Sequence, residues 1–226
     1  MNILRKGKVF TTYWIENSKK EKVVLKLINC EYFSDSKKYQ KILKQFQIEK
    51  NILKLLDFNF IPKYISSTES CLCMNYIEGE NLKDIKNKLT YKEKLDILIQ
   101  LSQIVKKLHN AKIIHCDIKP ENIIYNKGKV YLIDFGSAML DGEKVGYIQG
   151  SKIYSAPEIY TEFVRCPQND IYSIASIYNQ LIEEEKKDYR KVEEMIREAF
   201  WNLYVPGASE HFIPHYLRNS KITIPE

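Results

Sequence analysis

Two short motifs, separated by a strand-like run, constrain this chain more than any other feature. Residues 115–122 read His-Cys-Asp-Ile-Lys-Pro-Glu-Asn, and residues 134–136 read Asp-Phe-Gly. The first motif offers a carboxylate, a lysine two residues later and an amide five residues later, and the second adds another carboxylate. Phosphoryl transfer from a nucleotide needs such a set, because a carboxylate orients the attacking hydroxyl, a cation meets the transferred group and two oxygen ligands hold magnesium.

These motifs resemble the catalytic loop H-R-D-x-K-x-x-N and the metal-binding loop D-F-G of the eukaryotic-type protein kinases. The resemblance implies that Asp117 orients the proton of a substrate hydroxyl and that Lys119 neutralises charge on the transferring phosphoryl group. It implies that Asn122 holds one magnesium ion and that Asp134 bridges another to the phosphates. The alternative is a charged surface loop, which the match of both motifs between a helix and a strand disfavours.

Lys26 is a candidate nucleotide-binding residue. It lies in the apolar run Val-Val-Leu-Lys-Leu-Ile at residues 23–28 and resembles the kinase lysine that contacts the α- and β-phosphates. By the same resemblance its partner is Glu49, which falls in a segment with helical spacing. A lone lysine in a strand more often faces solvent, so the placement of Glu49 decides between the two interpretations.

The resemblance also implies an adenine pocket. Met74 is then the gatekeeper residue, and the backbone from Asn75 to Ile77 forms a hinge whose amide and carbonyl groups meet adenine. Val24 and Ile124 would cover the two faces of the ring. Ordinary core strands would carry the same apolar residues, so this alternative stays open at the level of the sequence.

Residues 150–158, Gly-Ser-Lys-Ile-Tyr-Ser-Ala-Pro-Glu, resemble the end of a kinase activation segment. In the family, the hydroxyl at the position of Ser151 contacts the catalytic aspartate and lysine. Ser151 and Lys119 together therefore favour the serine/threonine type. Asp170 matches a family helix start whose aspartate braces the catalytic loop from beneath, and an ordinary helix N-cap is a compatible role.

The overall prediction is an α+β, bilobal protein-kinase-like fold. Residues 1–77 would form a small β-rich N-lobe, with the nucleotide-binding sheet and one regulatory helix. Residues 78–226 would form a mostly helical C-lobe, and the two lobes together make one kinase domain. Strand formers predict strands at residues 8–15, 23–28, 64–67 and 71–77. Helical spacing predicts helices at residues 36–56, behind a capping box at Thr90 and Glu93, at 170–184 and at 187–204.

Three departures from the family pattern carry their own expectations. The family's G-x-G-x-x-G-x-V loop lets bare backbone approach phosphates, but Gly7 is the only glycine before Lys26. Phosphate contact should therefore be looser or come from a differently shaped loop at residues 7–12. Cys116 replaces the arginine that pairs with a phosphorylated activation segment, so activity should not require that phosphorylation. The end of the chain implies a compact, shortened C-lobe.

Composition and charge disfavour several other classes of protein. The 226 residues carry a formal net charge of +6, which fits a lysine-rich solvated surface better than nucleic-acid binding. No apolar run approaches the roughly 20 residues of a membrane span, and the first ten residues lack the apolar core of a signal peptide. A cytoplasmic location is expected, or the host cytosol after export by another route. The five cysteines, an odd number, are expected to be reduced thiols.

The function expected first is transfer of phosphate from ATP to serine or threonine hydroxyls of a protein substrate, with Mg²⁺ as the metal and Mn²⁺ as an alternative. A second interpretation is a kinase-fold enzyme that acts on a small molecule, or an atypical kinase that works inside a complex; the weak glycine loop and the short length favour it. A third is a nucleotide-binding pseudokinase. The presence of Lys26, Asp117, Asn122 and Asp134 disfavours it. The sequence specifies no oligomeric state.

Overall fold

The computed structural model describes residues 1–141, 153–156 and 166–182. In chain order the elements of these residues are β1 (Asn2–Lys6), β2 (Phe10–Glu16), β3 (Lys22–Ile28), α1 (Ser36–Leu55), β4 (Tyr64–Ser67), β5 (Cys71–Asn75), β6 (Glu80–Asn81), α2 (Leu82–Ile85), α3 (Tyr91–Asn110), β7 (Ile113–Ile114), β8 (Ile123–Asn126), β9 (Lys129–Leu132), β10 (Met139–Leu140) and α4 (Pro167–Ile182). Short 3₁₀ turns lie at Cys30–Tyr32, Pro120–Asn122 and Phe135–Ser137.

The first five strands form one antiparallel sheet in the order β1-β2-β3-β5-β4. Its centre is rich in β-branched and aromatic residues, which suit a pleated and partly buried surface. The strand predicted at residues 23–28 is confirmed, with one more residue at its start. The strand predicted at residues 8–15 begins only at Phe10, because the preceding residues form a turn. Strand β1 was not predicted, since it is exposed along its whole length and is defined by its pairing with β2.

Helix α1 is an amphipathic helix that packs beside this sheet. Asp35 caps it by accepting a hydrogen bond from the backbone N–H of Lys38 at 3.0 Å. Its buried face includes Phe46, Glu49 and Leu53, and it packs against β4 and the 3₁₀ turn that starts at Phe135. The helix predicted at residues 36–56 is confirmed to within one residue.

The helical half is built on α3 and α4. The predicted capping box is present, since Thr90 Oγ1 accepts from the N–H of Glu93 and the Glu93 carboxylate accepts from the N–H of Thr90. The apolar stripe of α3 packs against α4 and β9. Helix α4 begins three residues earlier than predicted, so Asp170 is its fourth residue and the N-cap role proposed for it is wrong. The helix predicted at residues 187–204 lies outside the described residues.

One hydrophobic core joins the sheet half and the helical half. Buried side chains of α1 and β5 continue into those of α3, β9 and α4 without a break. The chain passes between the halves after β5, and it then pairs Asn81 of β6 with Ile124 of β8 in a small three-stranded sheet. The lobe boundary between residues 77 and 78 remains a prediction. None of the described helices is both long and apolar enough to cross a membrane.

Candidate active site

The catalytic-loop motif follows β7 and is fixed from beneath by Asp170 of α4. The two carboxylate oxygens of Asp170 accept the backbone N–H groups of His115 and Cys116, each at 2.8 Å. The imidazole Nε2 of His109 also lies 2.8 Å from Asp170 Oδ2. Asp170 is fully buried, and its two bonds hold Cys116 at a φ of +64°, in the left-handed region. The brace expected of Asp170 is therefore present.

Asp117, Lys119 and Asn122 come together in this loop. Lys119 Nζ donates to Asp117 Oδ2 at 2.6 Å. The amide of Asn122 donates to the same oxygen at 3.1 Å and to the backbone carbonyl of Asp117 at 2.9 Å. Charge-assisted bonds of this kind are short and stronger than neutral ones. The Asp117 carboxylate is thus held in one orientation by two donors, as a group that positions a substrate hydroxyl needs to be.

The pairing expected between Lys26 of β3 and Glu49 of α1 is present. Lys26 Nζ lies 2.8 and 2.9 Å from the two carboxylate oxygens of Glu49. Both side chains are buried, so the alternative of a solvent-facing lysine is wrong. Burial acts to raise the pKa of Glu49, and it stands above the usual value although Lys26 opposes the shift. For Lys26, burial acts to lower the pKa, but the charges of Asp134 and Glu49 outweigh it and raise the pKa above the ordinary range.

The carboxylate of Asp134 accepts hydrogen bonds from two cationic side chains. Its backbone is left-handed, with φ at +66°, and its Oδ1 accepts from Lys26 Nζ at 2.8 Å. Its Oδ2 accepts from Arg5 Nη1 at 3.1 Å. Burial acts to raise the pKa of the Asp134 carboxyl, but Lys26 and then Arg5 hold it well below its usual range. The carboxylate is therefore ionised at any physiological pH.

A cleft of about 320 Å³ lies between the sheet and the helical half. It is lined by every residue predicted for the adenine pocket, namely Val24, Met74, Asn75, Ile77 and Ile124. Three residues predicted to act at the phosphates or the metal also line it, namely Lys26, Glu49 and Asp134. The structure therefore brings the two predicted groups to one cavity, which has the size expected of a small-molecule site.

Several residues that shape the site could not be predicted from the sequence. Leu4 and Thr12 line the cleft from β1 and β2. Arg5 reaches Asp134 and also approaches Asn122 Oδ1 at 3.4 Å. Asn29 holds the turn between the same two strands through its side chain. No local motif marks these residues, and only the pairing of β1 with β2 could have placed Arg5 over the cleft.

Gly79 closes the hinge end of the cleft in a conformation that favours glycine. Its φ is +139°, and a Cβ there would lie 2.7 Å from both Ile124 Cγ2 and the carbonyl oxygen of Tyr125. We expect Gly79→Ala to lower the free energy of unfolding by about 1–3 kcal/mol, the range for strained backbone and crowding. Chemical denaturation followed by circular dichroism measures this change.

Gly128→Ala is the matched control for that substitution. Gly128 also has a positive φ, at +82°, but a Cβ there would meet no atom within 4 Å. The difference between the two variants reports the contact with Ile124 and Tyr125 together with the more demanding φ of Gly79. Equal losses of stability in the two variants would contradict the packing argument.

Only part of the predicted activation segment lies within the described residues. Ser151, proposed to contact the catalytic aspartate and lysine, lies outside them. Tyr154 packs on α4, where its hydroxyl donates to Gln180 at 2.9 Å and its carbonyl accepts from Ser173 Oγ at 2.7 Å. Ala156 is fully buried. These contacts attach residues 153–156 to the helical half.

The environment of Cys116 agrees with the expectation for a loop that lacks the usual arginine. The side chain is buried in a small apolar cluster with Ile114 and Met139. A buried apolar cluster of this kind does not hold a phosphate group, since an anion needs charged or polar partners. Independence of activity from activation-segment phosphorylation stays a prediction.

A cleft between a β-sheet and a helical half, with a lysine–glutamate pair above and two aspartates below, defines a kinase-type phosphotransferase fold. The chain belongs to the protein kinase family, because the family described as "Protein kinase domain" matches residues 5–207. The predicted α+β, bilobal kinase fold is thereby confirmed.

Several curated proteins are similar to this chain. Dual specificity protein kinase zak2 of Dictyostelium discoideum is 30% identical over 181 residues, which cover 74% of this chain and 26% of the relative. Serine/threonine-protein kinase ppk5 of Schizosaccharomyces pombe is 34% identical over 163 residues, 64% of this chain and 19% of the relative. KEOPS complex subunit Bud32 of Pyrococcus abyssi is 40% identical over 77 residues, 34% of this chain and 35% of the relative. The chain thus spans between about a fifth and a third of the length of these relatives.

Proposed function

We propose that this chain is an active serine/threonine protein kinase that uses ATP and Mg²⁺ to phosphorylate a protein substrate. The observation that supports it most is the contact of Asp117, Lys119 and Asn122 within one loop. Arg5 bonds both Asn122 and the cleft residue Asp134, so this loop lies next to the cleft. A lysine paired with a helical glutamate stands at the same end of that cleft, as the phosphoryl-transfer reaction of kinases requires. The charged groups that the reaction needs therefore lie close to one another around the phosphate end of the cleft.

The metal ligands proposed are Asn122 and Asp134. Their oxygen atoms Oδ1 and Oδ2 accept from the same nitrogen of Arg5 at 3.4 and 3.1 Å, so both oxygens face a cationic group. Oxygen ligands suit Mg²⁺, which is often held by one or two carboxylates together with phosphate oxygens. Among the described residues, no cluster of three or more His, Cys, Asp or Glu side chains could hold a metal alone. When bound with the nucleotide, Mg²⁺ would neutralise charge on the phosphates.

The hinge supplies one backbone donor for adenine. The N–H groups of Asn75 and Tyr76 already donate to the carbonyls of Lys63 and Lys22, at 3.1 and 3.3 Å. Within the described part of the chain, the N–H of Ile77 has no such protein acceptor. We assign Ile77 N–H as the adenine-facing donor, since Ile77 lines the cleft and a donor covered by a ligand needs a partner.

Residues of the catalytic loop would accept the proton of the substrate and neutralise the transferred charge. Asp117 would orient the substrate hydroxyl and accept its proton, because its carboxylate is fixed by two donors within the loop. Lys119 Nζ, 2.6 Å from that carboxylate, would meet the negative charge on the transferring phosphoryl group. Lys26 would hold the phosphates of the nucleotide from the side of the sheet, with Glu49 setting the position of its Nζ.

The second candidate function is that of an atypical kinase that works as part of a complex. The similarity to a protein named as a KEOPS complex subunit favours it, although that similarity covers 34% of this chain. The turn that stands in place of a glycine-rich loop favours it as well, since it carries one glycine. In this case the isolated chain would bind nucleotide but phosphorylate generic proteins poorly.

Mass spectrometry of the purified chain tests the proposal directly. The chain is incubated with ATP, Mg²⁺ and a mixture of generic protein substrates, and Asp117→Asn serves as the control. New phosphoserine or phosphothreonine that depends on the parent chain is the expected result. Phosphotyrosine alone would contradict the serine/threonine assignment. Nucleotide binding without any transfer would contradict independent kinase activity and favour the complex-bound alternative.

A further inference from the structure

The turn between β1 and β2 is fixed by hydrogen bonds rather than left free by glycines. The side-chain amide of Asn29 donates to the carbonyls of Gly7 and Lys8, at 3.0 and 2.8 Å, and its backbone N–H donates to the carbonyl of Val9 at 2.8 Å. Thr11 Oγ1 donates to Asn29 Oδ1 at 2.7 Å. The N–H of Gly7 is itself used within the turn, since it donates to the carbonyl of Phe10 at 2.9 Å. The shape of the turn is therefore fixed by folding, and the N–H of its one glycine is already bonded within it.

A cation stands next to this turn and faces the cleft. Arg5 of β1 pairs with Thr12 of β2, and Thr12 pairs with Lys26 of β3. Directly paired residues of neighbouring antiparallel strands point to the same face of the sheet. All three line the cleft. The sheet thus presents Arg5 and Lys26 two strands apart, on the surface that covers the phosphate end of the site.

The guanidinium of Arg5 bonds the two oxygen atoms proposed as metal ligands. Its Nη1 is 3.1 Å from Asp134 Oδ2 and 3.4 Å from Asn122 Oδ1. A metal ion on either oxygen would compete with the guanidinium, because both cations need the same lone pairs. The Arg5 side chain is 52% exposed, so it is free to turn away from these oxygens while its backbone stays in β1.

The released guanidinium would remain beside the phosphates that accompany the metal. The backbone of Arg5 is paired through Thr12 with that of Lys26. Lys26 Nζ donates to the other oxygen of Asp134 at 2.8 Å. A guanidinium presents a planar fork of donors that matches the oxygens of a phosphate, and such charge-assisted bonds are among the stronger ones in proteins. No other cation of β1 or β2 is bonded to either proposed metal ligand in the described structure.

We propose that Arg5 is a phosphate-binding residue of the nucleotide site, which supplies by side chain the contact that a glycine-rich loop makes by backbone. The inference rests on the proposed use of ATP. Arg5 holds Asp134 and Asn122 before the nucleotide arrives and bonds the phosphates once the metal has taken those oxygens. Its role is in binding the nucleotide, not in the transfer of the phosphoryl group.

An opposite role makes an opposite prediction. If Arg5 only blocked the metal position, its removal would tighten the binding of a metal nucleotide. If it bonds the phosphates, its removal weakens the binding of nucleotides that have phosphates and spares adenosine. The sign of the change therefore separates the two roles.

Isothermal titration calorimetry on the full chain measures this sign. The ligands are Mg²⁺ with a non-hydrolysable ATP analogue, Mg²⁺ with ADP, and adenosine. For Arg5→Met we expect the Kd of both nucleotides to rise about tenfold or more, the loss expected for a hydrogen bond between charged groups, and the Kd of adenosine to stay within about twofold. For Arg5→Lys, which keeps the charge but loses the fork, we expect a smaller rise.

Lys6→Met is the matched control. Lys6 is the next residue of β1, is exposed, and pairs with Thr11 rather than with Thr12. The Lys6→Met substitution removes the same charge from the opposite face of the strand. An effect of net charge alone would therefore appear in both Arg5→Met and Lys6→Met. We expect Lys6→Met to bind all three ligands like the parent chain.

The outcomes separate this inference from the proposed function. A parent chain that binds the Mg²⁺ nucleotide, together with unchanged or tighter binding by Arg5→Met, overturns the role of Arg5 and leaves the kinase assignment standing. A parent chain that binds adenosine and both nucleotides equally also overturns it. A parent chain that binds no nucleotide overturns both proposals. Should Arg5→Met fail to bind adenosine, its fold is damaged, and Arg5→Lys decides the question by the same criteria.

Discussion

Asp117→Asn is expected to lower the rate of phosphoryl transfer by about 10²–10⁴-fold, the usual contribution of a positioned general base. The substitution keeps the shape of the side chain but removes its charge and its ability to take a proton. The two donors that now meet the carboxylate, Lys119 Nζ at 2.6 Å and the Asn122 amide at 3.1 Å, would face a neutral group. Nucleotide affinity should change little, because the cleft is lined by Lys26 and Asp134 instead.

Single-turnover kinetics and calorimetry separate these two quantities for Asp117→Asn. Asp96→Asn on the exposed face of α3 is the control, since it removes a carboxylate that does not line the cleft and lies outside the catalytic loop. The control should keep the parent rate. An Asp117→Asn variant that transferred phosphate at the parent rate would remove Asp117 from the catalytic role and with it the proposed mechanism.

Asp170→Ala is expected to lower the free energy of unfolding by roughly 2–6 kcal/mol. The substitution leaves the buried N–H groups of His115 and Cys116 without their acceptors, and each buried donor left unpaired costs about 1–3 kcal/mol. It also removes the carboxylate from His109 Nε2. Because these bonds hold Cys116 in a left-handed conformation directly before Asp117, activity should fall together with stability.

Denaturant unfolding followed by circular dichroism measures the loss in Asp170→Ala. Asp141→Ala removes a carboxylate at an exposed position after β10, and it should stay within about 0.5 kcal/mol of the parent chain. Asp170→Asn keeps one carbonyl oxygen as an acceptor and should fall between the two. If Asp170→Ala unfolded at the same denaturant concentration as the parent, the brace would not stabilise the catalytic loop.

The parts of the site that sequence predicted are those with local motifs. Asp117, Lys119 and Asn122 lie within six residues of one another, so the loop that joins them is short and its spacing already restricts where their side chains can go. Lys26 and Glu49 were predicted by resemblance to the family, in a strand-like run and a segment with helical spacing, and the structure pairs them at 2.8 Å. The adenine-pocket residues were found by resemblance to a family, and all of them line the cleft.

The parts that sequence missed depend on partners far along the chain. Strand β1 has no buried residue and is defined only by pairing with β2. Arg5 contacts Asn122 and Asp134 across 117 and 129 residues of sequence, a separation at which no periodicity carries information. For Asp170, the brace of the catalytic loop was expected from the resemblance and is present, and only the additional N-cap role is wrong.

The fixed turn between β1 and β2 has a consequence for the thermodynamics of ligand binding. A glycine-rich loop samples many backbone conformations, and ordering it around phosphates costs about 1–2 kcal/mol of conformational entropy per residue. In this chain Asn29 has already ordered residues 7–9 by folding. The conformational entropy of these residues is therefore lost when the chain folds and not when the nucleotide binds. The entropy change of nucleotide binding should be less unfavourable than for a site with a mobile loop. Rigidity at this position replaces adaptability, and the site is shaped before its ligand arrives.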